Sequence, residues 1–286
     1  MTTTKPGAAP PRESHDLASM LFSETPSVLD VPAFALGFGG LHGGLALSLV
    51  ASAMQRRVPD QTLRSITGQF HRPIRETFAI ESQVIRSGRS AGAVQATGSG
   101  ADGICLTATA IFGADQPGAV PIYAPDAPDV PGPHSLSSLE GLADSVPVLG
   151  QVDVRPVGSI RPYAGAAQPI VTAWMRVRGR EAPVHPASNV FFLDALPPSY
   201  VVVLTQSRPV PTLEFSAHVA SRPPTSPWVL VRSRTVRASE GGWVTECIDA
   251  WDPDGVHLGS AQQLRLAAAP RSHAQVPTTN NNLGAS

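Results

Sequence analysis

The chain of 286 residues is long enough for one large domain or two small ones, and only 15% of its residues are charged, against about 25% in an average soluble domain. Its formal net charge of -1 and pI near 6.7 give no electrostatic basis for binding nucleic acid or an anionic membrane surface. Two cysteines, Cys105 and Cys247, are too few for a disulfide scaffold or a zinc site, which predicts a reducing cytoplasm.

The first half of the chain predicts a buried helix followed by antiparallel strands. Residues 1–15 are rich in Pro, Thr and Ala and are expected to form a disordered tail without the features of a signal peptide. Residues 39–53 are apolar on every side, which predicts a buried helix, but no apolar run is long enough to cross a membrane. Four strands are expected after the helix, at 63–70, 78–86, 93–98 and 104–112.

The second half repeats this order after residues 117–150, which are rich in Pro and Ser and are interpreted as a linker. Arg72-Pro73 recurs as Arg222-Pro223 at an offset of 150, and the hairpin turn Asp102-Gly103 recurs as Asp254-Gly255 at an offset of 152. A repeat of this length predicts two duplicated domains, each a helix with an antiparallel sheet. The strands predicted in this half are a pair within 152–177, a strand that ends at 222–223, strands that span 228–237 and 243–251, and a last strand that ends at 266. A flexible tail is expected at 269–286.

Asp194 is a single acid in the apolar segment 189–204, NVFFLDALPPSYVVVL. A carboxylate is almost never fully buried without a partner, because its removal from water is costly. Two interpretations are open: an acid at a helix end that reaches solvent, which composition alone favours, and an acid held in place for a function.

The order of the short motifs resembles that of the acyl-CoA thioesterase II family. These motifs are HGG before a helix, RP after a strand, the turn R-x-G-R-S and a D-G hairpin, then D-A-x-P-P, P-T-L and D-G followed by Q-Q. The resemblance covers most of residues 30–115 and 185–268. It implies an α+β double hotdog, in which two helix-wrapped antiparallel sheets, within 16–116 and 151–268, join into one continuous sheet.

The resemblance also implies hydrolysis of an acyl-CoA, the substrate and partner, to a free acid and a thiol without a cofactor. Pairing of double hotdogs through a sheet edge or a helix side leaves a homo-oligomer open. The acyl chain and the carrier, CoA or a carrier protein, are left open as well.

The catalytic residues implied by the resemblance are Asp194, Thr212 and Gln263. Asp194 would accept a proton from water, and the other two would supply the remaining hydrogen bonds. Neighbouring Gln262 is the alternative to Gln263, because adjacent strand residues face opposite sides of a sheet; counting from Asp254 favours Gln263. The matching positions in the first half are Gly43, Thr62 and Ile111, which predicts one active centre per chain.

Four residues are candidates for substrate binding. Gly43 and Gly44 precede the first buried helix, where they either offer backbone N–H groups to a thioester carbonyl or allow close packing. Arg86 and Arg89 flank a turn and either meet the phosphates of CoA or are solvated. His42 and His218 are interpreted as structural histidines.

Three other functions have some support in the sequence. Residues 88–92 fit the G-x-S-x-G pattern around Ser90, with Asp194 and His257 following in order, but no helix is predicted after the turn and a serine hydrolase is rejected. A hotdog dehydratase or hydratase would pair a histidine with an acid, for which His185 near Asp194 is the candidate. A double hotdog that binds acyl thioesters without turnover is the non-enzymatic alternative.

Overall fold

The structure, a computed structural model, describes residues 16–116, 118, 123–183, 185–220 and 225–269. The predicted tail at 1–15, most of the tail at 269–286 and the Arg222-Pro223 motif lie outside these residues. No helix in the described part of the chain has the length and apolar character needed to span a bilayer.

The described part of the chain contains two central helices, each followed by four long strands. The helices are α1 (Leu17–Phe22), α2 (Gly43–Gln55) and α3 (Pro186–Ala195), with 3-10 turns at Ala33–Ala35, Pro133–Ser135, Leu142–Asp144, Pro147–Gln151 and Ser199–Val202. The strands are β1 (Val28–Asp30), β2 (Thr62–Phe70), β3 (Thr77–Arg86), β4 (Ala91–Gly100), β5 (Gly103–Gly113), β6 (Val152–Pro156), β7 (Ile170–Val177), β8 (Thr212–Val219), β9 (Val229–Ala238), β10 (Trp243–Trp251) and β11 (His257–Leu266).

One antiparallel sheet contains all the strands of the described residues, in the order β1-β3-β4-β5-β2-β8-β11-β10-β9-β7-β6. Strands β2 and β8 join the two halves at its centre, where Ile66 pairs with Ala217 and Gly68 pairs with Phe215. An offset of 149 converts each of these pairs into the other and keeps the buried residues on one face, so the halves are related by a local two-fold axis. The predicted double hotdog with one continuous sheet is confirmed.

The predicted buried helix is confirmed as α2, whose side chains are buried almost all round. It begins at Gly43 rather than Gly39, because residues 37–41 form a loop in which Gly39 has a φ of 88°. Helix α3 packs beside α2 on the inner face of the sheet and ends before Pro197-Pro198, since proline cannot continue a helix. These two helices and the inner face of the sheet form the core.

The described part of the predicted linker packs against the outer face of the second half. Trp174 and Trp251 donate indole hydrogen bonds of 2.9 Å to the carbonyls of Pro131 and Pro125. Both rings belong to a buried cluster with Trp228 that is covered by apolar residues between 127 and 136. Indole rings on this face need both an apolar cover and a hydrogen-bond acceptor, and the proline-rich segment supplies them.

Candidate active site

Asp194 is the next-to-last residue of α3 and points at the first turn of α2. Its Oδ2 atom accepts a 2.6 Å hydrogen bond from the backbone N–H of Gly44, and its Oδ1 atom accepts one of 2.6 Å from Nε2 of Gln263. The side chain is 9% exposed. The interpretation of Asp194 as an acid that reaches solvent is therefore wrong, because this carboxylate is buried and both of its oxygens have partners.

The position of α3 is fixed by polar side chains at its other end. Ser188 Oγ donates to the carbonyl of Leu21 at 2.8 Å, and Asn189 Nδ2 donates to the carbonyl of Leu258 at 3.0 Å. These buried bonds tie α3 to α1 and to β11. They leave the C-terminal turn of α3, with Asp194, facing α2.

The two glycines of α2 have different surroundings. A Cβ atom on Gly44 would lie 2.6 Å from Cβ of Asp194, so this residue must be glycine for the helices to approach, and its N–H is bound to the carboxylate. A Cβ atom on Gly43 would lie 3.1 Å from Asp194 Oδ2. No hydrogen bond within the described residues uses the Gly43 N–H, one of the free donors of a helix N-terminus.

Gln263 lies on the inner face of β11 and is fully buried, whereas Gln262 is exposed on the outer face. The structure therefore places Gln263, as counted from the Asp254 turn, against Asp194. Thr212 stands opposite Arg265 in the pairing of β8 with β11, so the two side chains share the inner face. No hydrogen bond of the described residues joins Thr212 to Asp194, and its catalytic role stays a prediction.

His42 has a position that sequence reasoning missed. Its Nδ1 atom accepts the N–H of Leu45 at 3.4 Å and caps α2, and the same atom lies 3.8 Å from Asp194 Oδ2. The ring meets that of Phe191 edge-on. Burial lowers the pKa of His42, Asp194 opposes this shift, and Arg265 adds to it. His42 is thus a structural cap, as expected, and also a neighbour of the acid.

His185 does not meet Asp194, so the histidine–acid pair considered for a dehydratase is not formed by these residues. It caps the opposite end of α3, where Nδ1 accepts the N–H of Ala187 at 3.2 Å. Nine residues of helix place it about 13 Å from Asp194. Burial lowers the pKa of His185.

A second group that the sequence did not reveal is the buried pair Arg265 and Glu246, which are 6% and 0% exposed. Arg265 Nη2 donates to Oε1 of Gln263 and lies 3.5 Å from Asp194 Oδ1. Its Nε atom is 2.5 Å from Oε2 of Glu246. The only sequence signal was spacing, because residues two apart on a strand share a face, which puts Arg265 beside Gln263.

Arg86 and Arg89 are not brought to Asp194. They lie at the end of β3 and in the turn after it, whose Gly88 carbonyl accepts a hydrogen bond of 2.6 Å from Gln61. This turn is beside the C-terminal end of α2, and the 13 residues of that helix separate it from Asp194 by about 19 Å. Their contact with CoA phosphates stays a prediction, because the phosphates of CoA lie a long pantetheine arm away from its thioester. Ser90, in the same turn, precedes strand β4 and not a helix.

The repeat does not keep a single offset through the strands and the helices. Matching Gln263 with Ile111 was wrong by one residue, because Gln263 and its partner Phe215 are fully buried on the inner face whereas Ile111 is 45% exposed. The corresponding buried pair of the first half is Ala110 with Ile66. The helix caps are 143 residues apart, whereas β2 and β8 begin 150 apart, because the segment from α3 to β8 is longer than that from α2 to β2. Matching Asp194 with Gly43 was therefore wrong. Counted from the caps, its counterpart is Ala51, and neither residue is acidic.

Both halves of the sequence match known thioesterase domains. The sequence matches the acyl-CoA thioesterase N-terminal domain over residues 32–113 and the acyl-CoA thioesterase C-terminal domain over residues 123–267. No curated protein sequence matches the chain.

Several solved structures share the fold. One is a hot dog fold protein of unknown function from Alicyclobacillus acidocaldarius, with 24% identity and a TM-score of 0.75 over 85% of this chain and 93% of that chain. A tesB protein from Mycobacterium avium subsp. paratuberculosis has 19% identity and a TM-score of 0.69 over 85% and 92%. An acyl-CoA thioesterase II, TesB2, from Mycobacterium marinum has 19% identity and a TM-score of 0.65 over 80% and 90%. On the family match, which spans both halves, the chain belongs to the acyl-CoA thioesterase family.

Proposed function

We propose that the chain hydrolyses an acyl-CoA, or a related acyl thioester, to the free acid and the thiol at a single centre around Asp194. The observation that carries this proposal is the buried carboxylate held by Gly44 and Gln263. A positioned carboxylate can take a proton from water, and its Oδ2 atom, which accepts from Gly44, has a second lone pair for that water.

In the proposed reaction Asp194 accepts a proton as the water oxygen bonds to the thioester carbon. The carbon–sulfur bond then breaks, and the proton passes from Asp194 to the leaving thiolate. The N-terminus of α2, with the free N–H of Gly43, would stabilise the negative charge that develops on the carbonyl oxygen. Gln263 orients Asp194, and Thr212 is assigned to positioning the water.

One centre per chain is proposed because the first half lacks the required groups. Ala110, which pairs with Ile66 as Gln263 pairs with Phe215, occupies the buried position of Gln263 and has no amide. We further propose a role in fatty acid metabolism in a reducing cytoplasm, in keeping with Cys105 and Cys247, both free thiols.

The proposal is tested by measuring thiol release from a series of saturated acyl-CoAs of increasing chain length. Release that depends on Asp194 would support it. Absence of release with every member would overturn it, and tight binding without release would identify a non-catalytic acyl-thioester-binding protein.

A hydratase is the second candidate, because the structure places His42 within 3.8 Å of Asp194. A histidine and an acid beside one bound thioester could add water across the double bond of a 2-enoyl-CoA. This reaction removes the enoyl absorbance and leaves the thioester intact, whereas hydrolysis releases the thiol. Incubation with a 2-enoyl-CoA therefore separates the two activities.

A further inference from the structure

We propose that Arg265 is a positioning residue for this hydrolysis, and that Glu246 anchors it. The proposal rests on the function proposed above. Arg265 holds the carboxylate in two ways: its Nη2 atom lies 3.5 Å from Asp194 Oδ1, and it binds the oxygen end of the Gln263 amide whose other end faces Asp194.

The two ends of the Gln263 amide have different partners. Its Nε2 atom donates to Asp194, and its Oε1 atom accepts from Nη2 of Arg265. The carboxylate can only accept and the guanidinium can only donate, so the two groups together fix the orientation of the amide. Without Arg265 the oxygen end of the amide has no partner and Asp194 loses a cation 3.5 Å from Oδ1, so both side chains are held less firmly.

Arg265 has further partners on the side away from Gln263. Nε lies 2.5 Å from Glu246 Oε2 in an ion pair, and Nη1 donates to the carbonyl of Val210 at 3.4 Å. The side chain is 6% exposed, and these contacts are with other residues of the protein. Its role is therefore to hold other residues and not to contact the thioester.

Glu246 connects Arg265 to the segment that follows Asp194 in the chain. Its Oε1 atom accepts from the N–H of Ser199 and, at 2.5 Å, from Ser199 Oγ. Ser199 begins the 3-10 turn that follows α3, five residues after Asp194. The contacts thus run from Asp194 through Gln263, Arg265, Glu246 and Ser199, and they tie the end of α3 to β10 and β11.

The first half shows that the fold does not need these charges. Glu246 pairs with Gln263 on the inner face as Val94 pairs with Ala110, and Arg265 pairs with Thr212 as Phe112 pairs with Leu63. Buried apolar residues therefore occupy the equivalent positions of the first half. A buried ion pair is weak evidence for stability. The pair is present only in the half that contains the acid.

The test is the double variant Glu246→Leu/Arg265→Leu, compared with each single variant. Replacement of a buried ion pair by apolar residues is often neutral for stability, whereas loss of one partner leaves a buried charge. Because the double variant leaves no unpaired charge but removes the partners of Ser199 and of Gln263 Oε1, we expect it to melt below the wild-type temperature and above each single variant. We expect kcat of the double variant to fall by about 10²-fold, the cost of misplacing a catalytic group.

Two readouts separate positioning from a merely structural role. KM, and the affinity for a thioether analogue of the acyl-CoA, should stay near wild-type values while kcat falls. The variant Arg265→Lys keeps a charge for Glu246 but lacks the planar fork of donors, so it should also lose kcat. The variant Asp153→Leu/Arg155→Leu, which removes a 3.0 Å ion pair from edge strand β6, should keep wild-type kcat.

Wild-type kcat in the double variant or in Arg265→Lys would overturn the role of Arg265 and leave the thioesterase intact. Absence of thiol release by the wild-type protein would instead overturn the proposed function, and the role of Arg265 with it.

Discussion

The carboxylate of Asp194 accepts a 2.6 Å hydrogen bond from the backbone N–H of Gly44, so the acid of the second half is held by the helix of the first half. The site therefore lies between the two hotdog units and not within one of them. The N-terminus of α2 also provides partial positive charge beside the acid. Duplication and fusion of the unit allow this asymmetry, because each half can contribute different residues to one centre.

Gly44→Ala is expected to reduce both stability and turnover. Its Cβ atom would lie 2.6 Å from that of Asp194, so the helices must separate or the acid must move. A displacement of this kind should lower kcat by about 10²-fold. The control is Gly132→Ala, because nothing lies within 4 Å of its added Cβ and its φ of -65° suits any residue. Equal thermal unfolding and kcat for the two variants would contradict the close packing.

Protonation of the two helix-capping histidines is expected to destabilise the fold in acid. Burial lowers the pKa of His42 and His185 from 6.5, so the folded chain binds fewer protons than the unfolded chain as pH falls below that value. Their contribution to stability is complete above about pH 6.5, and it declines as pH falls towards the folded pKa values.

The double variant His42→Asn/His185→Asn keeps a capping acceptor on both helices but cannot take up these protons. Its melting temperature should therefore fall less than that of the wild-type protein between about pH 7 and pH 5. Parallel curves for the two proteins would show that these histidines do not set the acid limit of stability.

Thr212 and Thr62, which lie 150 residues apart and were matched in the sequence, are expected to differ in catalysis. Thr212 stands opposite Arg265 on the inner face, whereas Thr62 stands opposite Gly113 in the half without an acid. Thr212→Ala should lower kcat several-fold, and Thr62→Ala should leave it unchanged. Steady-state thiol release measures both, and similar losses in the two variants would contradict a single centre.

The strands and the polar residue facing the acid were predictable because both follow from local pattern. The alternation of apolar and polar residues located the long strands. The Asp102-Gly103 turn was recognisable because hairpin turns favour Asp-Gly, in which the glycine takes a positive φ; Gly103 has a φ of 99°. The same period of two meant that only one of Gln262 and Gln263 could face the site, and the count from Asp254 under the family resemblance favoured Gln263. These features depend on residues close together in the chain.

The features that sequence could not provide depend on distant residues. His42 lies beside Asp194 only because α2 and α3 pack with the start of one against the end of the other. Glu246 and Arg265 meet through the register of β10 and β11, which sequence does not determine. Counting by a fixed offset failed for the helices because the connecting segments differ in length.

Thiol release by Asp194→Asn, compared with the wild-type protein under saturating acyl-CoA, tests the central claim most directly. The amide cannot act as the general base, so kcat should fall by about 10²-fold or more. Its NH₂ group must also face the N–H of Gly44 or the amide of Gln263, both donors, so we expect a loss of about 1–3 kcal/mol in the free energy of unfolding. Wild-type turnover by a folded Asp194→Asn variant would contradict the assignment of Asp194 as the catalytic acid–base group.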